Sequence, residues 1–202
     1  MKYVVLGDEA ALEAIKVNEE NILWVHIQNS AELFLHTDAD AYFDLTENAG
    51  GNYNSLTKPI FINSMVNTLA DKEYKEHVIR VNAWPGFLEK DLWEIAGQIT
   101  VEAALVLKTI SKKYITVNDE PGFVSARIVA MIINEAYSAK DAGVSTEDEI
   151  DIAMKLGTNY PYGPFEWCRK IGQRQVYGLL QKIAETDARF LPAAGLVAAN
   201  KI

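Results

Sequence analysis

A chain of 202 residues, 49% hydrophobic and 23% charged, carries enough apolar material for one large domain or two modest ones. Its formal charge of -9, with no cluster of Lys or Arg, argues against a nucleic-acid partner. One cysteine, Cys168, rules out an intrachain disulfide and suits a reducing compartment; no apolar run approaches ~20 residues and the N-terminal run is too short for a secretory signal, so the expectation is a soluble cytoplasmic protein without membrane contact.

The first half alternates short apolar runs with polar helical stretches. Strands are expected at Tyr3–Leu6, Ile22–Ile27, Tyr42–Leu45, Ile60–Asn63, Val78–Ala83, Leu92–Ala96 and Tyr114–Val117, each rich in β-branched or aromatic residues and bounded by Gly, Asn, Asp or Pro. Helices are expected at Asp8–Lys16, Ser30–His36, Val66–Glu76 and Thr100–Lys112, the last with Thr100 as N-cap. Asn48, Gly50, Gly51, Asn52 and Asn54 mark an exposed loop. This alternation predicts a largely parallel α/β sheet over 1–118.

From residue 119 onward the pattern is helical. Pro121 suits a first turn, and Val124, Ile128, Met131, Ile132 and Ala136 recur at helical spacing before Gly143. Ser145 with Asp148 reads as the start of a second helix, whose stripe Ile150, Ala153, Met154 ends at Gly157. Gly163-Pro164 launches a third, with Glu166 in its first turn, and a fourth runs from Arg174 to Thr186.

Several blocks of this half resemble one family. Pro121-Gly122-Phe123-Val124 with Arg127, Asn134-Glu135-Ala136, Asp151 to Gly157, and Tyr160-Pro161-Tyr162-Gly163-Pro164-Phe165-Glu166 are similar, in order and near spacing, to the C-terminal domain of the 3-hydroxyacyl-CoA dehydrogenases. Arg189 to Ile202, with Pro192, is similar to the start of that family's tail. The resemblance implies a shortened Rossmann-like domain at 1–118, an all-α domain at 119–202, and a homodimer through helices of the second, for which the stripes at 124–136 and 174–183 supply apolar surface.

The same resemblance locates a site and its departures. The family's catalytic strand carries a histidine that takes the substrate hydroxyl's proton, with a glutamate twelve positions on. In VNAWPGFLEKDLWEIAG, Glu94 takes the glutamate's place and Asn82 the histidine's. A carboxamide has no usable basicity near neutral pH. Ala126 stands where the family has an asparagine that binds the reacting oxygen, and losing such a donor costs about 10²–10³ in rate. The family's serine falls within INSMVNTL, where Ser64 is the candidate and Thr68 the alternative. The first strand leads into LGDEAALEAI, with Gly7 alone in place of a glycine turn and with Asp8 and Glu9 where phosphates would lie. The stretch before Val78 is also roughly half its length in the family.

Base, oxyanion partner and phosphate loop therefore fail together. The expectation is a 3-hydroxyacyl-CoA dehydrogenase-like protein without NAD-dependent hydride transfer, binding a small acyl or CoA-like ligand or a partner; no cofactor is expected. The alternative is a working oxidoreductase on a 3-hydroxyacyl-CoA-type substrate, with NAD and a non-standard site. Trp84 and Phe87 are candidate pocket-lining residues, against the plainer reading of a packed turn. His26 reads as an interior histidine and Cys168 as packing. HTDAD, residues 36–40, reads as a helix end and turn, and YPYGPFEW as a structural turn; no metal site is expected.

Overall fold

The computed structural model describes residues 1–47 and 49–200, so Asn48 of the expected loop and the last two residues of the tail lie outside the described residues. Two compact units result, Met1–Phe123 and Val124–Ile202.

The first unit is a seven-stranded sheet: β1 (Lys2–Leu6), β2 (Leu23–Ile27), β3 (Ala41–Asp44), β4 (Ile60–Ile62), β5 (Val78–Val81), β6 (Leu92–Ala96) and β7 (Lys113–Thr116), in spatial order β2-β1-β3-β4-β5-β6-β7. Neighbours are parallel except β5 and β6, which pair antiparallel. The fold class is thus the expected Rossmann-like, largely parallel sheet followed by helices. Side chains alternate across it. On one face Tyr3, Val5, Phe43, Phe61, Ile79 and Trp93 pack under α1 (Glu9–Ile15) and α2 (Val101–Thr109). On the other, Val4, Tyr42, Ile60, Ile62 and Val78 meet residues of the connecting segments, chiefly Leu33, Tyr53 and Leu56.

The expected helix at Val66–Glu76 does not form. Thr68 and Asp71 cap each other, and the segment makes a single 3-10 turn, Ala70–Lys72. Glu73 then turns left-handed at φ 50°. That break lets Tyr74 reach Gly51 O with its hydroxyl and lie 5.5 Å from the Tyr53 ring. Ser30–Leu35 is likewise 3-10 rather than α.

The second unit is helical among the described residues: α3 (Ser125–Asp141), α4 (Glu147–Thr158), α5 (Pro164–Ile171), α6 (Gln173–Ala184) and α7 (Ala194–Ala199), with α3 packed on α5, α6 and α7. The phase of α3 differs from expectation. Val124 and Ile128 are exposed, while Ala126, Val129, Ala130, Ile133, Asn134 and Tyr137 face the interior. Ala126, Ala130 and Asn134 share the buried face with Val129, Ile133 and Tyr137, so counting large aliphatics alone misplaced it. Asn134 belongs there because its amide donates to Leu191 O (2.9 Å) and accepts from Ala193 N (2.7 Å), docking the segment that leads to α7.

Two starts and stops also move. The capping box of α4 is Thr146 with Glu149, one residue past the expected pair. Gly157 lies within the helix, and left-handed Asn159 ends it. The α4 stripe of Ile150, Ala153 and Met154 is at most half-buried, whereas Asp151 is buried. In α6, Val176, Leu179, Leu180 and Ile183 are interior to the chain, so that stripe offers no outward surface. Gly163 and Pro164 open α5 as expected, with Glu166 accepting from Gly163 N at 2.9 Å.

Candidate functional site

Antiparallel pairing of β5 with β6 sets Arg80 opposite Ala96 and Val81 opposite Ile95. The ladder continues one residue further, with Asn82 N donating to Glu94 O at 3.2 Å. Asn82 and Glu94 are therefore directly opposed, and alternation puts both on the face that β5 shares with Val78. Asn82 is buried and Glu94 half-buried. The Asn82 side-chain oxygen accepts from Trp84 N at 3.3 Å, which orients the carboxamide.

The other sequence candidates have settled surroundings. Ser64 is buried after β4, and its hydroxyl donates to Asn67 O at 2.9 Å. Ala126 is fully buried on α3 in the second unit. Trp84 is 2% exposed, in a turn where Phe87 N and Leu88 N both donate to its carbonyl. Phe87 is half-buried. Two buried contacts brace that turn: Trp93 Nε1 and Lys112 Nζ each donate to Leu88 O at 3.0 Å. Burial pushes the Lys112 ammonium below its ordinary value, with Asp91 and Glu89 opposing.

Sequence reading missed the strongest polar feature of this unit, a fully buried arginine. Arg80 donates from Nε to Ser64 O (2.8 Å), from Nη1 to Asp119 Oδ1 (2.5 Å) and from Nη2 to Glu120 O (3.3 Å); its guanidinium carbon lies 4.5 Å from the Phe123 ring centroid. Asp119 also accepts from Leu69 N and Ala70 N. Gly122 N donates to Met65 O at 2.8 Å. Residues 119–123 are thereby stitched to the segment after β4. Burial pushes the guanidinium below its ordinary value, and Asp119 opposes the shift. The available signal was a lone charge inside the apolar run VIRV, which demands a buried partner.

The start of the first unit does not fit a dinucleotide. Amides at a helix N-terminus bind phosphate only when no side chain has taken them. Here Asp8 caps α1, accepting from Ala11 N at 2.7 Å, and Glu9 adds a second carboxylate in the first turn. A Cβ at Gly7 would lie 3.3 Å from Ala11 Cβ and 3.4 Å from Leu45 Cβ, so its small size serves helix–sheet packing. His26 Nε2 donates to Gly7 O at 2.8 Å, so the histidine is satisfied as expected, but it is half-buried rather than interior, with Nδ1 3.5 Å from Glu9 Oε2.

Other polar clusters are structural. Asp38 pairs with Lys2 Nζ and Asp40 accepts from Lys2 N, and among the described residues no group of three His, Cys, Asp or Glu could hold a metal. In the YPYGPFEW block the buried Asp151 carboxylate accepts from Phe165 N (2.8 Å) and Glu166 N (3.1 Å). A Cβ at Gly163 would fall 2.3 Å from Asp151 Oδ1, so only glycine admits this cap. No described helix is long and apolar enough to cross a membrane.

Residues 122–197 match the family described as 3-hydroxyacyl-CoA dehydrogenase, C-terminal domain. The chain is 43% identical over 84 residues to the 3-hydroxyadipyl-CoA dehydrogenase of Escherichia coli (strain K12), covering 42% of this chain and 18% of that protein. It is 38% identical over 91 residues to the 3-hydroxybutyryl-CoA dehydrogenase of Clostridioides difficile, covering 43% of this chain and 32% of that protein. The chain thus spans less than a third of either curated relative. Among solved structures, the (S)-3-hydroxybutyryl-CoA dehydrogenase of Ralstonia eutropha superposes with a TM-score of 0.70 at 21% identity, covering 98% of this chain and 94% of that one, a likeness of fold.

Proposed function

From the match of residues 122–197 to the C-terminal domain of the 3-hydroxyacyl-CoA dehydrogenases, we propose that this chain keeps the family frame without NAD-dependent hydride transfer. It serves instead as a module binding a small acyl or CoA-like ligand or a partner protein. The observation that carries this reading is the Asn82–Glu94 opposition across β5 and β6. The resemblance assigns that place to a histidine and its glutamate, and a carboxamide there can hydrogen-bond but cannot shuttle a proton. Ala126 in place of an oxyanion donor, and Asp8 on the Ala11 amide of α1, point the same way. A homodimer through the helical unit and a cytoplasmic location belong to the same proposal. The outward Val124 and Ile128 of α3 support the first, and a lone buried Cys168 the second.

A second reading, an active oxidoreductase on a 3-hydroxyacyl-CoA-type substrate, is favoured by Glu94 keeping its place opposite position 82. Titration with NADH, followed by fluorescence, separates the two. No saturable binding at micromolar concentration and no oxidation of 3-hydroxybutyryl-CoA are expected, while a short acyl-CoA binds calorimetrically. Asn82→His alone restores no turnover, because the phosphate cradle is still missing. Micromolar NADH affinity, or turnover that disappears in Glu94→Gln, would establish the second reading.

A further inference from the structure

The strand order of the first unit contains a reversal beside β1: the chain steps from β1 outward to β2, then returns to the other side of β1 with β3. In open α/β sheets this reversal opens a crevice at the carboxyl ends of the strands, where ligands sit. Here a crevice of about 400 Å³ opens at that place, bordered by Leu6 from the end of β1, Gln28 and Ser30 beyond β2, Asp44 and Thr46 at the end of β3, and Gly51.

Its chemistry is opposite to that of a phosphate site. Among the described residues bordering it, none is Lys or Arg. The nearest helix start along the chain from Leu6 is closed by Asp8, with Glu9 beside it. Asp44 holds a carboxylate at the base, 2% exposed and fixed by Tyr53 Oη on one oxygen and by Thr46 N (3.2 Å) and Oγ1 (2.6 Å) on the other. Burial and this carboxylate push the Tyr53 phenol far above its ordinary value, so the phenol keeps the proton it donates to Asp44. A phosphate entering here would meet fixed negative charge with no Lys or Arg among the described lining residues to offset it. What remains at the rim is neutral and two-sided: the Gln28 carboxamide and the Ser30 hydroxyl both donate and accept. Hydroxyl groups match such a lining, because they too donate and accept.

We propose that this crevice binds an uncharged, hydroxyl-rich compound of nucleoside size and discriminates against the same compound carrying a phosphate. The polarity of selection is thus reversed relative to a nucleotide cradle, while the place in the sheet is kept. Gln28 and Ser30 recognise hydroxyls; Asp44 repels phosphate.

Adenosine and adenosine 5′-monophosphate differ by the phosphate alone and serve as the probes. The full chain is titrated with each by ligand-observed NMR at low and high ionic strength. Adenosine should give saturable binding and the monophosphate at least ten-fold weaker binding at low salt, the gap narrowing as salt screens the carboxylates. Gln28→Ala should weaken adenosine at least five-fold, and Gln28→Lys should close the gap by strengthening the monophosphate. Position 28 is exposed, so neither variant threatens folding. No saturable response to adenosine, or a monophosphate that binds as tightly as adenosine at low salt, overturns the proposal. Micromolar NADH binding would overturn the proposed function as well; silence toward both ligands would remove this inference alone.

Discussion

Truncating Asp119 to alanine strands the Arg80 guanidinium in the interior of the sheet unit. The arginine side chain is 0% exposed, whereas Asp119 is 28% exposed, so the two partners do not suffer equally. Removing one member of a buried pair costs about 3–5 kcal/mol, because the surviving charge stays desolvated. The partial exposure of Asp119 lets water into the vacated space, which favours the lower end, about 3 kcal/mol. The amides of Leu69 and Ala70 lose their acceptor in the same variant. Arg80→Met behaves differently. It removes the charge but keeps most of the volume, and Asp119 retains two backbone donors and access to water. Asp119→Ala should therefore be the less stable variant by at least ~1 kcal/mol, and the double variant should recover part of its loss. Trp24, Trp84 and Trp93 lie in this unit and Trp167 in the other, so tryptophan fluorescence of a Trp167→Phe background during urea and thermal unfolding follows it. A loss of about 3 kcal/mol lowers the midpoint by roughly 10 °C. Asp119→Ala within ~1 kcal/mol of wild type, or a double variant worse than Asp119→Ala, would refute the argument.

Gly163→Ala should destabilise the helical unit by about 1–3 kcal/mol, read from the thermal midpoint, because its methyl group meets the Asp151 carboxylate. The Glu166 carboxyl is held below its usual 4.5 by Lys155 and by Gly163 N. A depressed folded value gives stability that is complete above 4.5 and is lost as pH falls through the folded value. The midpoint of Glu166→Gln should therefore drop less than wild type on acidification from about pH 5 to pH 3; equal slopes would count against the assignment. Burial pushes the Cys168 thiol up, and the residue is 3% exposed. A thiol reagent at neutral pH should leave the native chain unmodified and label one sulfur after denaturation; fast native labelling would contradict this placement.

The seven strands were legible because each is a short run of β-branched and aromatic residues between breakers, and backbone pairing only sharpened their ends. The helix at 66–76 misled because its residues suit a helix locally. What stops it is distant: Tyr74 leaves for Tyr53 and Gly51, and Asp119 takes the amides of Leu69 and Ala70. The phase of α3 was obscured for a related reason, since Ala126 and Ala130 create closeness rather than apolar bulk. At the candidate site, the opposition of Asn82 and Glu94 follows from strand spacing once their antiparallel pairing is known. Arg80, Asp119 and the crevice beside β1 needed coordinates, because they join residues up to 50 positions apart in the chain.

Gly163 and Asp151 make one consequence plain for anyone redesigning this chain. The carboxylate occupies the volume that every other residue type would need for its first side-chain carbon at 163. Neither position can therefore drift alone: a larger residue at 163 requires a shorter one at 151, and the helix start must then find another acceptor. The two sites, twelve residues apart, behave under selection as a single letter of the sequence.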